Sequence, residues 1–252
     1  MKWDPNCYSK FRNERQKPVE DLFKLINIRE GMSVIDLGCG TGEITEMISN
    51  LLPGSTVLGI DSSFDMLTKA KERERPDLQF ERGSIEDVSR EWDLIFSNAS
   101  LQWVNNHDAL IPKLFSHIRN DGQLVVQIPS NHNHPSQSLL AILAQEEPFK
   151  QALRGWARTS PVLSIDRYAE LLFMAGGSDI TVFEKVYPHV LTDVNSILDW
   201  MRGTAVLPYF ECLPEKIHEQ FIDKYRVRLL ELWPKGPIFF PFNRTIFAAT
   251  RP

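Results

Sequence analysis

A glycine-rich stretch that follows an apolar run is the part of this sequence best suited to bind a ligand. Residues 34–42 read V-I-D-L-G-C-G-T-G, with Asp36 two residues before the first of three glycines, Gly38, Gly40 and Gly42. A β-branched run that breaks into glycines predicts a buried strand ending in a tight loop, where a ligand can approach the backbone closely. The residues that follow have helical spacing of apolar side chains, so the unit is strand, glycine loop and helix.

The spacing of the acids in this region selects the kind of ligand. A dinucleotide fingerprint is G-x-G-x-x-G, with a pyrophosphate on the helix N-terminus, whereas the pattern here is D-x-G-x-G-x-G. An acid at Asp36 is a poor neighbour for a phosphate and a good one for an ammonium. A second apolar run, 56–60, ends at Asp61, which is placed to accept hydrogen bonds from two ribose hydroxyls. A ligand with a cationic amino-acid end and a ribose but no phosphate is S-adenosylmethionine.

These motifs resemble those of the class I S-adenosylmethionine-dependent methyltransferases. The resemblance rests on D-L-G-C-G-T-G at 36–42 and G-I-D-S-S-F-D-M-L at 59–67. A closer resemblance, to the trans-aconitate 2-methyltransferases of bacteria, covers nearly the whole chain and includes W-D-P-N-C-Y-S-K-F-R-N-E-R-Q-K-P at 3–18, N-A-S-L-Q-W-V at 98–104 and D-W-M-R-G-T at 199–204. It implies an O-methyltransferase that forms a methyl ester on a carboxylate of a small, trans-aconitate-like acid.

The strands and helices that must position these motifs follow one another along the chain. Seven apolar runs are predicted to be strands: 33–37, 56–60, 78–81, 93–97, 123–128, 180–187 and 244–250. A helix is predicted at 18–28 and a turn at Asp121-Gly122. With the resemblance, they predict an α/β fold with a Rossmann-like sheet, mostly parallel with an antiparallel last strand, in a single domain of residues 1–252. Two helix-rich segments, about 136–160 and 193–235, are expected to form a helical cap around the substrate. Residues 1–18 are expected to form either a lid over the cofactor or an amphipathic packing helix.

The expected cofactor contacts lie where the strands end. They are Asp36, Gly38, Gly40, Gly42, Asp61, Ser62, Met66, Ser84, Ile85 and Asn98. At the position of Ser84 the family usually has an aspartate that holds the adenine amino group, and a neutral hydroxyl accepts that hydrogen bond more weakly. The neighbouring Glu86 and Asp87 are either substitute acceptors or solvated acids.

The expected substrate contacts lie in the lid, after the fourth strand and in the second cap segment. They are Trp3, Tyr8, Arg15, Gln102, Trp103 and Arg202, with packing as the alternative role of Trp103. The related family commonly has an arginine at the position of Leu207. If that arginine clamps one of the three carboxylates of the substrate, its replacement removes a charge-assisted pair of about 1.5 to 3 kcal/mol. Either Arg202 takes over, or the pocket prefers an acid with fewer charges, so that trans-aconitate is accepted poorly or as one of several substrates. Other arginines are candidate clamps or surface residues: Arg12, Arg15, Arg154, Arg158 and Arg244.

The sequence contains no recognisable acid–base or nucleophilic machinery. We find no Ser/His/Asp arrangement and no paired carboxylates in loops, so no catalytic residue is predicted. A carboxylate needs no base at neutral pH, because its pKa lies near 4. The enzyme then contributes orientation and exclusion of water, with a ceiling from orientation of roughly 7 to 11 kcal/mol. His132 and His134 are not accompanied by a cysteine or acid cluster, so no metal is predicted.

Composition restricts the remaining choices. The 252 residues carry a net charge of −5, with 24% charged and 42% hydrophobic residues, which is typical of a soluble globular protein and argues against a nucleic-acid partner. The apolar run at 139–144 is too short to span a membrane, and three widely separated cysteines, Cys7, Cys39 and Cys212, favour the cytoplasm. Two alternatives remain: methylation of an acyl carboxylate on a carrier protein, which the acidic composition disfavours, and S-adenosylmethionine binding without catalysis.

Overall fold

A seven-stranded sheet forms the centre of the computed structural model, which describes the backbone of residues 12–252 and the side chains from residue 17 onward. The strands within these residues are β1 Ser33–Leu37, β2 Thr56–Asp61, β3 Leu78–Arg82, β4 Trp92–Asn98, β5 Ile118–Pro129, β6 Ser178–Leu191 and β7 Ile238–Thr250. Their order is β3-β2-β1-β4-β5-β7-β6. The first five strands run parallel to one another, and β7 runs antiparallel to β5. The predicted Rossmann-like sheet is confirmed.

Helices connect most of the strands. They are α1 Arg12–Phe23, α2 Glu43–Leu51, α3 Phe64–Ala70, α4 His107–Ser116, α5 Pro135–Ala144, α6 Phe149–Ala152, α7 Ile165–Met174, α8 Val194–Arg202, α9 Leu207–Cys212 and α10 His218–Leu232. Several begin at a polar cap that accepts a backbone N–H of the first turn. Ser63 caps α3, Ser164 caps α7 and Asp193 caps α8.

The strand order reverses between β1 and β4. The chain moves outward from β1 to β3 and then returns to place β4 on the other side of β1. Ligands of open α/β sheets bind at such a switch point, beyond the carboxyl ends of the strands. The glycine loop after β1 and the loop after β4 both leave the sheet at this edge.

The central strands are buried on both faces. Val34 belongs to a cluster that includes Leu22 and Ile48, whereas its neighbour Ile35 belongs to a cluster that includes Leu114. Adjacent residues of a strand point to opposite faces, so β1 packs against helices on each side of the sheet. Asp36 is therefore an acid within an otherwise apolar buried strand, which is a costly placement unless the acid has a function or a partner.

The described chain divides into two compact units. The sheet unit comprises Arg15–Pro129, Pro161–Lys185 and Asn243–Pro252, and the helical unit includes Ser130–Ser160 and Val186–Phe242. The helical unit has its own buried cluster, which includes Leu140, Phe149, Ile197, Trp200, Phe221 and Tyr225. The helices of both predicted cap segments belong to the helical unit. Their role as a cap, like that of residues 1–18 as a lid, stays a prediction.

Two local predictions from the sequence are wrong. The turn predicted at Asp121-Gly122 lies inside β5, where Asp121 has a φ of 60° and the pairing with β4 shifts register. The Asp-Gly pair suits left-handed backbone, and here that conformation forms an irregularity within a strand instead of a chain reversal. The helix expected at 18–28 begins earlier, at Arg12, and ends at Phe23.

Candidate active site

The glycine loop is fixed to the end of β2 by backbone hydrogen bonds. The N–H groups of Gly38 and Cys39 both donate to the carbonyl of Ile60, at 2.8 and 2.9 Å. Gly40 N–H donates to Oδ2 of Asp61 at 2.9 Å, and Ser63 N–H donates to Oδ1 at 2.8 Å. Each oxygen of the Asp61 carboxylate thus has one backbone donor and retains a lone pair for a further donor. This geometry fits a carboxylate that receives two hydroxyl groups of a ligand.

The three glycines of the loop have different surroundings. A Cβ at Gly38, where φ is 77°, would lie 2.3 Å from Cβ of Ser100, and one at Gly42, where φ is 76°, would lie 2.7 Å from the Phe80 ring. Both positions therefore exclude any side chain. At Gly40 a Cβ would meet no atom of the described residues within 4 Å. Gly40 is the point at which a ligand can approach the loop backbone.

Asp36 is buried beneath the loop, with 2% of its surface exposed. The Thr45 hydroxyl donates to its Oδ2 at 2.7 Å. Burial is the largest cause that raises the pKa of Asp36, the Thr45 hydrogen bond lowers it and the charge of Asp61 raises it, with a net pKa of about 7. A cation bound here stabilises the carboxylate, as expected for the ammonium end of S-adenosylmethionine. Burial and the same two acids raise the pKa of the Cys39 thiol, so that thiol stays protonated.

The loop after β4 is held against the end of β1. The Ser100 hydroxyl donates to the carbonyl of Leu37 at 2.6 Å, and the Ser97 hydroxyl lies 2.5 Å from the Ser100 oxygen and 3.2 Å from the same carbonyl, so the three groups form one hydrogen-bonded cluster. Asn98 ends β4 between them. Gln102 donates from Nε2 to the carbonyl of Ala99 at 2.7 Å and precedes Trp103, the last residue of a short 3₁₀ helix. The structure therefore brings Asn98, Gln102 and Trp103 to the switch point.

A buried histidine supports this loop, and the sequence did not reveal it. His107 Nε2 lies 3.0 Å from the carbonyl of Leu101, and its Nδ1 lies 2.5 Å from the hydroxyl of Tyr168. Leu163 N–H donates to the same hydroxyl at 3.2 Å. The hydroxyl therefore donates to Nδ1 and Nε2–H donates to the carbonyl, which requires a neutral ring. Burial lowers the pKa of His107 in agreement with this assignment.

The other predicted cofactor positions lie in the same sheet unit. Met66 is buried in α3, and Ser62 precedes it on the surface. The Ser84 hydroxyl accepts the N–H of Glu86 at 3.3 Å, at the start of the 3₁₀ helix Ile85–Asp87. Ser84 therefore caps this 3₁₀ helix. The sequence, in which Ser84 was compared only with the aspartate usual in the family, did not indicate this local role.

The predicted substrate contacts are distributed differently. Trp3 and Tyr8 lie outside the described residues, and Arg15 lies in α1 at a position whose side chain is also outside them. Arg202 ends α8 in the helical unit, 44% exposed, with Nη2 3.5 Å from Oε2 of Glu219. An exposed pair of this kind contributes little to stability. Gln102 and Trp103, by contrast, share the sheet unit with the cofactor positions.

The sheet unit contains a buried arginine, Arg244. The sequence did not distinguish it from the four other candidate clamps. Arg244 is 5% exposed and donates from Nη1 to Oε1 of Gln127 at 2.8 Å. Gln127 is fully buried in β5, and the sequence did not single it out. The sequence feature that could have indicated Gln127 is a glutamine within the apolar run L-V-V-Q-I.

The described residues offer little for a metal ion. No group of three or more His, Cys, Asp or Glu side chains is suitably placed within them. His134 accepts the N–H of Ser136 as the cap of α5, and its ring stacks on Trp233 with centroids 5.8 Å apart.

Among residues 12–252, every helix is too short or too polar to cross a membrane.

The sheet order and the glycine loop after β1 are those of the class I S-adenosylmethionine-dependent methyltransferase fold. The family described as "Methyltransferase domain" matches residues 28–173. A trans-aconitate 2-methyltransferase of Deinococcus radiodurans is 43% identical over 258 residues, covering 100% of this chain and 99% of that protein. The chain belongs to the methyltransferase family and, within it, to the group of trans-aconitate 2-methyltransferases.

Solved structures agree on the fold. The YcgJ protein of Bacillus subtilis superposes with a TM-score of 0.60 at 13% identity, covering 95% of this chain and 98% of its own. Phosphoethanolamine N-methyltransferase 2 of Haemonchus contortus, solved in complex with S-adenosyl-L-methionine, has a TM-score of 0.55 at 16% identity, covering 94% of this chain and 52% of its own. At these identities the similarity concerns the fold alone.

Proposed function

We propose that the protein transfers the methyl group of S-adenosylmethionine to a carboxylate oxygen of trans-aconitate. The products are a methyl ester and S-adenosylhomocysteine. The observation that carries this proposal is the full-length 43% identity to a trans-aconitate 2-methyltransferase. The site geometry supports the binding of the cofactor, because Asp36 is a buried acid at the end of β1 and Asp61 is an acid oriented by the N–H of Gly40.

Three residues are proposed to hold the cofactor. Asp61 accepts the two ribose hydroxyls through the lone pairs that its backbone donors leave open. Asp36 carries a negative charge opposite the ammonium, and Gly40 leaves room for the ligand against the loop. When bound, the cofactor supplies an activated methyl group on a sulfonium. The residues of this chain supply binding, alignment and exclusion of water.

The acceptor chemistry requires no base. A carboxylate is ionised at neutral pH and attacks the methyl carbon directly as the sulfur leaves with the bonding electrons. The buried His107 in the sheet unit has both ring nitrogens in hydrogen bonds, so it is committed to structure instead of proton transfer. This arrangement favours a carboxylate over an amine or a phenol, which would require a proton acceptor.

The test is methyl transfer from labelled S-adenosylmethionine to a panel of acids. We expect label in an ester of trans-aconitate, with lower kcat/KM on dicarboxylates and on monocarboxylates. The cofactor alone, without acid, is the control. Binding of S-adenosylhomocysteine without transfer to any acid would support a non-catalytic protein. Transfer only to a carrier-bound acyl group would support the other alternative.

We place the reaction in the cytoplasm, with a small molecule as the acceptor and without a metal. Free thiols support this compartment, since Cys39 and Cys212 form no disulfide.

The hypothesis that Leu207 weakens the preference for trans-aconitate is tested by the same panel of acids. A strong preference for trans-aconitate that survives Arg202→Ala would show that another cation replaces the missing arginine.

A further inference from the structure

We infer that Arg244, positioned by Gln127, binds a carboxylate of the substrate that does not react. This inference rests on the proposed function and assigns it a specificity residue. It begins from a buried donor of the sheet unit that no described residue satisfies, Nε2 of Gln127. Buried polar groups are almost always hydrogen-bonded in native proteins, so this donor needs an acceptor, such as a carboxylate oxygen.

The strand register places these residues in one row. Asp36 pairs with Phe96 across β1 and β4, and Asn98 lies two residues further along β4. Asn98 pairs with Gln127 across β4 and β5, and Gln127 is bonded to Arg244. Paired residues and residues two apart point to the same face of a sheet. The row therefore runs on one face from the acid of the cofactor site to the buried arginine.

The row also lies at the correct end of the sheet. Asn98 is the last residue of β4, Gln127 is near the end of β5, and Arg244 pairs with Pro129, the last residue of β5. Gln127 is two strands from Asp36, or roughly 10 Å at the usual strand spacing. The arginine is thus near the carboxyl edge, where ligands of such sheets bind, and close enough to the cofactor acid for one small acid to reach both regions.

The chemistry of the pair suits an anion. A guanidinium is charged at every accessible pH and presents a planar fork that matches a carboxylate. Nη1 of Arg244 donates to Oε1 of Gln127, which orients both side chains, and Nε2 of Gln127 is a further donor beside the guanidinium. Because Arg244 is 5% exposed, little water competes for an anion there. Arg202 is 44% exposed, so water screens its charge and it is less suited to this role.

The test compares Arg244→Gln with Arg251→Gln. Arg251 follows β7 in the same unit and donates to the carbonyls of Ser116 and Ile118, so it is a matched structural arginine. For Arg244→Gln, kcat/KM on trans-aconitate should fall about 10- to 100-fold, mostly through KM, as expected for one charged hydrogen-bonded contact. Turnover of but-2-enoate, an unsaturated monocarboxylate, and the Kd for S-adenosylhomocysteine should change less than about threefold. Arg251→Gln should leave the ratio between the two acids unchanged.

A binding measurement makes the test independent of turnover. Propane-1,2,3-tricarboxylate should bind the wild-type protein loaded with S-adenosylhomocysteine and should bind Arg244→Gln much more weakly by calorimetry. If Arg244→Gln does not fold, Arg244→Lys is the second variant, because lysine keeps the positive charge but lacks the planar guanidinium. It should lower tricarboxylate binding and kcat/KM on trans-aconitate by a smaller factor. Gln127→Leu should raise the KM for trans-aconitate, because Arg244 loses the hydrogen bond that orients it.

The outcomes separate this inference from the proposed function. A parallel loss on both acids, or equal effects of Arg244→Gln and Arg251→Gln, would assign Arg244 to structure and overturn the inference. An active Arg244→Gln protein with unchanged selectivity would do the same and leave the proposed function standing. Absence of ester formation by the wild-type protein on every acid would contradict the proposed function itself.

Discussion

The two aspartates of the proposed cofactor site, Asp36 and Asp61, differ in what surrounds them. Asp61 is oriented by backbone N–H groups on both oxygens, whereas Asp36 is buried and has the Thr45 hydroxyl as a donor. The first arrangement is ready to receive neutral hydroxyls. The second holds a carboxylate that gains strongly from a bound cation, because burial penalises its charge.

Asp61→Ala should weaken binding of S-adenosylhomocysteine more than Ser84→Ala does. An ionised acceptor contributes roughly 1.5 to 3 kcal/mol per hydrogen bond, against about 1 kcal/mol for a neutral one. Isothermal titration should therefore show a loss of at least about tenfold for Asp61→Ala. Ser84 has a local role as a cap for Glu86, so its variant serves as the matched comparison. An equal effect of the two variants would be evidence against the assigned role of Asp61.

Asp36 should make the unliganded protein less stable as the pH rises. Its pKa in the fold, about 7, lies above its ordinary value of 3.8, so between these values the folded protein binds more protons than the unfolded chain. Stability from this group is therefore lost as the pH rises from about 4 to 7. Asp36→Asn should raise the Tm relative to wild type more at pH 8 than at pH 5, and it should weaken S-adenosylhomocysteine binding.

Asp77→Asn is a suitable control for this pH experiment. A hydrogen bond from Ser49 and the nearby Arg75 lower the pKa of Asp77, so its contribution has the opposite sign and is present above its unfolded pKa. The asparagine variant at this position should not gain stability at pH 8. A gain of the same size for both variants would mean that the effect at Asp36 is not due to its raised pKa.

At the scale of elements, the loop after β4 depends on contacts from distant parts of the chain. Ser97 and Ser100 hold it to β1, and His107 holds it through Leu101. The tyrosine behind the histidine comes from α7, 61 residues further along the chain. The loop is therefore positioned by buried polar contacts, and their loss should be felt at the site.

Tyr168→Phe should destabilise the protein and impair the loop. The change leaves Nδ1 of His107 and the N–H of Leu163 without their shared hydroxyl, at a cost of about 1 to 3 kcal/mol for each group left unsatisfied. At about 2 to 4 °C per kcal/mol, the Tm should fall by several degrees. Thermal unfolding monitored by circular dichroism measures this. A Tm within one degree of wild type would indicate that the hydroxyl network is unimportant.

The sequence predicts the elements of the cofactor site better than those beside it. The glycine loop and Asp61 can be found because strand, glycines and acid lie within 30 residues and each has a local signature. The Gln127–Arg244 pair joins residues separated by 117 positions and depends on the register between β5 and β7. Such a contact between distant strands has no local sequence signature. The Asp121-Gly122 pair was wrongly assigned to a turn because a residue with left-handed backbone suits both a turn and an irregularity within a strand.

At the scale of the whole molecule, the predicted cofactor and substrate contacts are distributed over the two units. The sheet unit contains every predicted cofactor position, and it also contains Gln102, Trp103 and Arg244. The helical unit contains Arg202 and Leu207, the position at which the resemblance led us to expect an arginine. Selectivity for a polycarboxylate therefore has a candidate residue in the sheet unit that does not depend on the arginine missing at Leu207.

The most direct test of carboxyl methylation is the stability of the product to mild alkali. Methyl label transferred from S-adenosylmethionine to trans-aconitate should be released as methanol, because a methyl ester hydrolyses under these conditions. The same treatment of an N-methyl or ether standard should release none. Release of essentially all the label as methanol is the expected result. A labelled product that withstands alkali would contradict the account, because the acceptor would then be an amine or a hydroxyl.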